Sequence, residues 1–195
     1  MTDDEFFRWI LLAGLAVFLP VAIYHRLKSI TSEKLDRSQE GRWILIGRLV
    51  LGPVGMLCLI AYLIEPAWMA WGSMPLPIAV RWVGVGLGVL SGLLLTWTFV
   101  NLGKNLTDTV VTRKEATLVT TGPYRWVRHP FYLSFALGIL ANALVAANWF
   151  FLACGAAAFT LLAFRTRIEE AKLIERFGDE YREYMNRTGR FLPRF

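Results

Sequence analysis

The sequence predicts an all-α integral membrane protein: five transmembrane helices, the last two a helical hairpin, with polar residues gathered at the cytoplasmic face. Three observations predict it. Five apolar stretches punctuate a chain of 195 residues that is 55% hydrophobic, with a mean hydropathy of +0.45, more apolar than an ordinary soluble domain. The charge is basic, 21 Lys+Arg against 15 Asp+Glu for a formal net charge of +6, and the bases collect in alternate connections, as in a membrane protein with cytoplasmic loops. No nucleic-acid partner is expected from that distribution. Finally, the longest polar connection and the polar tail flank the last two apolar stretches, so both reach the same face.

Each element follows in order. An acidic start, Asp3, Asp4 and Glu5, precedes the apolar run 6–24, long enough to cross a hydrocarbon core of about 30 Å as a helix. A cleavable signal would want a basic lead and small residues at its end. Asp3-Asp4-Glu5 and Tyr24-His25-Arg26 offer neither, so a retained helix is expected, with Pro20 a candidate kink. The connection 25–42 carries Arg26, Lys28, Lys34, Arg37 and Arg42, with His25 an interfacial residue. The second span, 43–64, has Arg48 near its start, placed to snorkel. Residues 65–77 have one acid, no base, three prolines and the pair Trp68 and Trp71, a short loop with an interfacial aromatic belt.

The third span, 78–100, contains Gly84, Gly86, Gly88 and Gly92. The Gly88-x-x-x-Gly92 spacing predicts close helix packing. No strand precedes these glycines, so they are not a dinucleotide fingerprint. The connection 101–128 follows, with Lys104, Asp108, Arg113, Lys114, Glu115, Arg125 and Arg128; its β-branched pieces 109–112 and 117–121 weakly suggest extended chain. The apolar segments 131–147 and 149–164 surround Asn148 and read as the hairpin. Helical spacing of Ile168, Leu173, Ile174 and Phe177 carries the last helix past 164 to Gly178, a C-cap or break, and 179–187 forms a second short helix. Five crossings with the N-terminus outside and the C-terminus inside put every basic segment on the cytoplasmic side.

Several residues stand where chemistry is conceivable. Arg165 and Glu169 are i and i+4, sharing one face where a span leaves the membrane. They form either an interfacial ion pair or an anion-binding Arg oriented by an acid. Glu170 is offset from that face and reads as solvated. His129 precedes Pro130 at a helix start, a place that attracts anions, or it only caps a turn. Tyr124 and Tyr132 wall an aromatic pocket or sit at the interface, and Arg125 and Arg128 are most simply positive-inside residues. Cys58 and Cys154 lie in apolar runs, and with only His25 and His129 besides, neither a disulfide nor a metal site is expected. Residues and spacing alone give a polytopic membrane protein with a cytoplasmic-face site and no reaction.

Two blocks add a resemblance. Thr117-Leu118-Val119-Thr120-Thr121-Gly122-Pro123-Tyr124, followed by Arg128-His129-Pro130-Phe131-Tyr132, resembles the R-H-P-x-Y core of the isoprenylcysteine carboxyl methyltransferases and their prokaryotic relatives. The tail Arg165-x-x-x-Glu169-Glu170-x-x-Leu173-x-x-x-Phe177-Gly178-x-Glu180-Tyr181-x-x-Tyr184, ending in Arg190-Phe191-Leu192-Pro193, is similar to that family's second block. The first three spans match only as generic membrane helices, and Ser134 stands where the family often has Gly.

The resemblance implies an integral membrane methyltransferase that uses S-adenosylmethionine and releases S-adenosylhomocysteine. Ala116, Thr117, Leu118, Val119, Tyr124, His129, Pro130, Phe131 and Tyr132 would contact the donor, and Arg165 and Glu169 would be the catalytic, substrate-side pair. The implied acceptor is amphipathic: a small molecule, a lipid or a prenylcysteine-type carboxylate presented from the bilayer. Methylation of a phospholipid amine is the alternative, and a non-enzymatic membrane protein the further one. The whole chain, 1–195, is expected to form one membrane-embedded domain with the cofactor and catalytic region at 101–195. It is placed in a prokaryotic cell membrane.

Overall fold

The computed structural model describes residues 2–29, 41–103 and 117–194. Every regular element among them is helical. Helix α1 (Asp3–Lys28) starts at a capping box: Glu5 N donates to Thr2 Oγ1, and the Glu5 side chain accepts from Thr2 N. It runs unbroken through Pro20, as α2 (Arg42–Ile64) does through Pro53. A 3-10 helix, Pro66–Gly72, fills the expected loop, with the Glu65 side chain accepting from Ala67 N at its start. Helices α3 (Ile78–Leu102) and α4 (Pro130–Val145) then pack along each other in the most extensive contact of the fold.

The expected hairpin is present. α4 ends at Val145, residues 146–148 turn, and α5 (Trp149–Phe177) begins with Asn148 Oδ1 accepting from Phe150 N. α5 continues past its apolar part as the spacing predicted. Gly178, at φ 58°, breaks it in a conformation that favours glycine, and α6 (Asp179–Arg187) folds from there.

α1, α2, α3 and α5 are long and apolar enough to cross a membrane. α4 is apolar but has 16 residues, about 24 Å at 1.5 Å per residue, short of the usual span. Outward faces stay apolar, with Leu49 66% and Leu57 65% exposed, the pattern of helices solvated by lipid.

Contacts at one end fix the relative direction of all five long helices. Arg81 Nε donates to Val145 O at 2.9 Å and Arg81 Nη1 to Asp4 Oδ1 at 2.8 Å. Arg8 Nη1 donates to Ile64 O at 3.0 Å, and Asn148 Nδ2 to Met69 O at 2.8 Å. The starts of α1, α3 and α5 therefore meet the ends of α2 and α4, so successive helices alternate in direction. A hydrophobic cluster of Tyr62, Met69, Ala143, Ala146 and Phe151 packs beneath this end.

The predicted close approach at Gly88 and Gly92 divides between two partners. A Cβ on Gly92 would fall 2.4 Å from the Phe18 ring of α1, whereas one on Gly88 would meet Ala141 at an ordinary 3.6 Å. Among the α3 glycines the tightest fit to α4 is one turn earlier, at Gly84, whose Cβ would lie 2.8 Å from Leu144 Cβ.

Candidate functional site

At the opposite end of the bundle, three segments distant in sequence close on one another. The chain from Thr117 runs without regular structure into the 3-10 turn Gly122–Arg125 and reaches α4 through His129. The C-terminal half of α5 passes beside it. After α6 the tail returns and pairs with it in parallel: Arg128 N donates to Gly189 O at 2.9 Å and His129 N to Arg190 O at 3.1 Å. Tyr184 Oη adds a bond to Tyr124 O at 2.5 Å.

Within this closure the Tyr132 hydroxyl is a bridge. It accepts from Arg165 Nη1 at 3.2 Å and donates to Glu169 Oε2 at 3.0 Å. Arg165 and Tyr132 are buried, and Glu169 is half-buried. The i, i+4 spacing on α5 does put Arg165 and Glu169 on one face, and α4 supplies the group between them. Tyr124 is buried nearby. Burial, then the charges of Glu169 and Tyr184, push its phenol well above the usual range.

Glu170 departs most from the sequence expectation. It is 3% exposed rather than solvated. Its Oε1 accepts from Arg128 Nε at 2.9 Å and lies 3.4 Å from His129 Nε2, close enough to pair but too poorly aligned for a hydrogen bond. Its Oε2 accepts from Arg190 Nη2. Burial opposes the ionised form, but the contacts with His129, Arg190 and Arg128 outweigh it and bring the carboxyl down to about 2. Arg128 is likewise no loop cation. Its side chain is 9% exposed, and Nη1 donates to Met185 O and Thr188 O. The reason lies in the tail: α6 and residues 188–190 cover a face of α5 that is open in an isolated helix. Glu170 and Arg190 both stand in the block that carries the family resemblance, which is the sequence signal available for them.

The remaining expected site residues fall on both sides of this cluster. His129 is 3% exposed, and its ring lies edge-on to Tyr132 and tilted against Phe191, with centroids 5.4 and 6.0 Å away. Phe191 also contacts Tyr132 and Phe159. Pro130 is buried at the first turn of α4, where a missing N–H is harmless. Phe131 turns toward α3 and stacks on Phe99 at 6.1 Å, on the scaffold side. Thr117 is exposed, Leu118 and Val119 are half-buried, and Ala116 lies outside the described residues, as does the β-branched piece 109–112. Ser134 is accommodated in the helix contact, its Oγ donating to Phe131 O at 2.7 Å and its carbonyl accepting from Ser91 Oγ at 2.8 Å.

This geometry spans the region where known proteins are most similar. Residues 84–175 match the model of the isoprenylcysteine carboxyl methyltransferase (ICMT) family. That match takes in just under half of the chain. Methanethiol S-methyltransferase of Mycobacterium tuberculosis is 37% identical over 70 residues, 36% of this chain and 28% of that protein. Protein-S-isoprenylcysteine O-methyltransferase of Saccharomyces cerevisiae is 40% identical over 96 residues, 47% of this chain and 39% of that protein. The matches thus span less than half the length of either relative. The solved structure of the eukaryotic intramembrane Ras methyltransferase ICMT superposes with a TM-score of 0.55 at 20% identity, over 93% of this chain and 62% of that one. The fold is therefore ICMT-like, and with its apolar helices the protein is a multi-pass membrane protein.

Proposed function

We propose that this protein is an integral membrane S-adenosylmethionine-dependent methyltransferase whose acceptor is a carboxylate on a lipid-like or prenylcysteine-type molecule. The observation that carries the reading is the Arg165–Tyr132–Glu169 bridge. It joins a buried guanidinium to the mouth of α4, within the region shared with enzymes named for methyl transfer. A carboxylate is ionised at neutral pH and needs no base, so its main requirement is a cation that orients it. Arg165 meets that requirement, and Glu169 holds Tyr132 and Arg165 in register from one helical turn away.

The residues present fit the donor in chemical type. Its sulfonium supplies an electrophilic methyl group for in-line displacement. The rings of Tyr132 and Phe191 offer faces that stabilise a cation. The N-terminus of α4, which starts at Pro130 after His129, is a place where a carboxylate is favoured. Thr117, Leu118, Val119 and Tyr124 border the same end, with Ala116 assigned by resemblance. The membrane reading adds five crossings, with the short α4 the fourth, the N-terminus outside and the site on the cytoplasmic side. The basic segments 25–42 and 101–128 and the tail support that orientation.

The test uses purified protein in lipid nanodiscs with labelled S-adenosylmethionine and three acceptors: an S-prenyl cysteine, methanethiol and phosphatidylethanolamine. We expect labelling of the carboxylate. Arg165→Ala should lower kcat/KM by about 10²–10³-fold, as for loss of one preorganised donor, with S-adenosylhomocysteine affinity retained. Glu169→Gln should have a smaller effect. If only the amine or the thiol is methylated and Glu169→Gln is the more damaging change, Glu169 is a base and the carboxylate reading is wrong. Calorimetry that finds no nucleoside binding to folded protein overturns the enzyme reading altogether.

A further inference from the structure

A pocket of about 220 Å³, lined by Thr120, Arg125, Tyr184, Arg187 and Thr188, opens beside the Glu170 cluster. The proposed reaction does not use it. Its lining holds two guanidinium groups and three hydroxyls and no carboxylate. Two of the hydroxyls are already committed: Thr188 Oγ1 donates to Tyr184 O at 2.6 Å and Tyr184 Oη to Tyr124 O. They fix the wall, leaving Arg125, Arg187 and Thr120 as the groups that can face a ligand.

Both arginines of the lining are exposed, and among the described residues neither is held by a carboxylate. Arg182, on the same helix as Arg187, is by contrast tied to Asp179 at 2.7 Å. Arg125 and Arg187 line the same concavity, and two guanidinium groups there suit a tetrahedral oxyanion such as a phosphate.

The position of the pocket indicates the source of that phosphate. Arg125 lies over the ring of Trp126 at 5.4 Å, and Trp126 packs edge-on against Trp97 of α3 at 5.5 Å. The two indoles are 45% and 42% exposed, near the end of an apolar helix. Paired tryptophans of this kind sit at the headgroup layer. We propose that Arg125 and Arg187 form a binding site for the headgroup phosphate of an anionic phospholipid in the leaflet at the site end of the bundle. Such a lipid would hold the 122–125 turn and α6 together from outside, independently of the chemistry at Arg165.

The experiment compares protein in nanodiscs of phosphatidylcholine alone with protein in discs that also contain phosphatidylglycerol. It follows the thermal midpoint and, by native mass spectrometry, the retained lipid. Binding to the folded state raises the midpoint by mass action. The wild type should gain several degrees from phosphatidylglycerol. The Arg125→Ala/Arg187→Ala variant should lose that gain and the retained lipid, while keeping the wild-type midpoint in phosphatidylcholine and its affinity for S-adenosylhomocysteine. If Arg182→Ala loses as much of the gain, the effect is diffuse surface charge and the site is wrong. If inorganic phosphate stabilises the protein in detergent and phosphatidylglycerol does not, the lipid assignment is wrong. Loss of S-adenosylhomocysteine affinity in the double variant would assign the pocket to the donor and also overturn the proposal. Should that variant fold poorly in phosphatidylcholine, Arg187→Gln alone decides: loss of the gain supports the site, and its retention refutes it.

Discussion

At one end of the bundle the Arg81 guanidinium is enclosed by the Val145 carbonyl, the Phe7 ring at 4.2 Å and Asp4, whose side chain is itself 58% exposed. At the other end the Glu170 carboxylate is enclosed by Arg128, His129 and Arg190, its side chain 4% exposed. The first charge rests on a packed apolar cluster and shares its partner with water. The second is itself what the surrounding segments pack around, since the loop, α5 and the tail meet on it. Taking charge out of water is expensive unless every remaining bond is made. The Arg81 end can lose its acid and keep its packing, but the Glu170 end cannot lose its acid without leaving several cationic or polar groups facing one another.

The largest expected effect is therefore at Glu170. Glu170→Ala should destabilise the fold by about 3–5 kcal/mol, the range for breaking a buried pair from one side, read as a lower thermal midpoint in micelles. The pH dependence carries the same signature. The folded carboxyl, at about 2, lies below its ordinary 4.5. Its contribution is therefore fully present above about 4.5 and is lost as pH falls toward 2. Protease accessibility of the 188–194 tail should rise across that window in the wild type and already be high at neutral pH in Glu170→Ala. A tail equally protected in both would mean that Glu170 does not hold it.

Next in size is Arg81→Ala, about 1–3 kcal/mol from leaving the Val145 carbonyl without its donor, measured by the same unfolding curve. Asp4→Asn sharpens the contrast, because an ion pair with one exposed partner is worth about 1 kcal/mol or less. Equal losses for the two variants would place the weight on the Asp4 pair instead. Packing offers a comparison of similar size. Gly84→Ala drives a Cβ against Leu144 Cβ and the Val145 backbone and should lose about 1–3 kcal/mol as an overpacked contact. Gly86→Ala, with nothing within 4 Å of its Cβ, should lose nothing.

What was legible in the sequence follows the range of the interactions involved. Helix lengths, the turn at Asn148, the run of α5 to Phe177 and the stop at Gly178 depend on residues a few positions apart, and each appears where spacing put it. The shared face of Arg165 and Glu169 is local in the same sense. The Tyr132 hydroxyl between them is not, because it arrives from another helix. Glu170 reads as solvated in the sequence because one step along a helix turns a side chain away from its neighbour's face, and nothing local says that face will be covered. The covering comes from Arg128, 42 residues before it, and Arg190, 20 after it. Arg128 reads as one more positive-inside base for the same reason, and its burial comes from the distant tail.

The parallel pairing of Gly189 and Arg190 with the backbone of Arg128 and His129 sets an order on biosynthesis. When the segment through α5 has left the ribosome, Glu170 can already meet Arg128, but its second oxygen has no guanidinium until Arg190 is made. The nascent chain therefore carries a half-satisfied acid at the water edge while its helices are already inserting. Closure of this end around Glu170 is complete only once the tail has arrived.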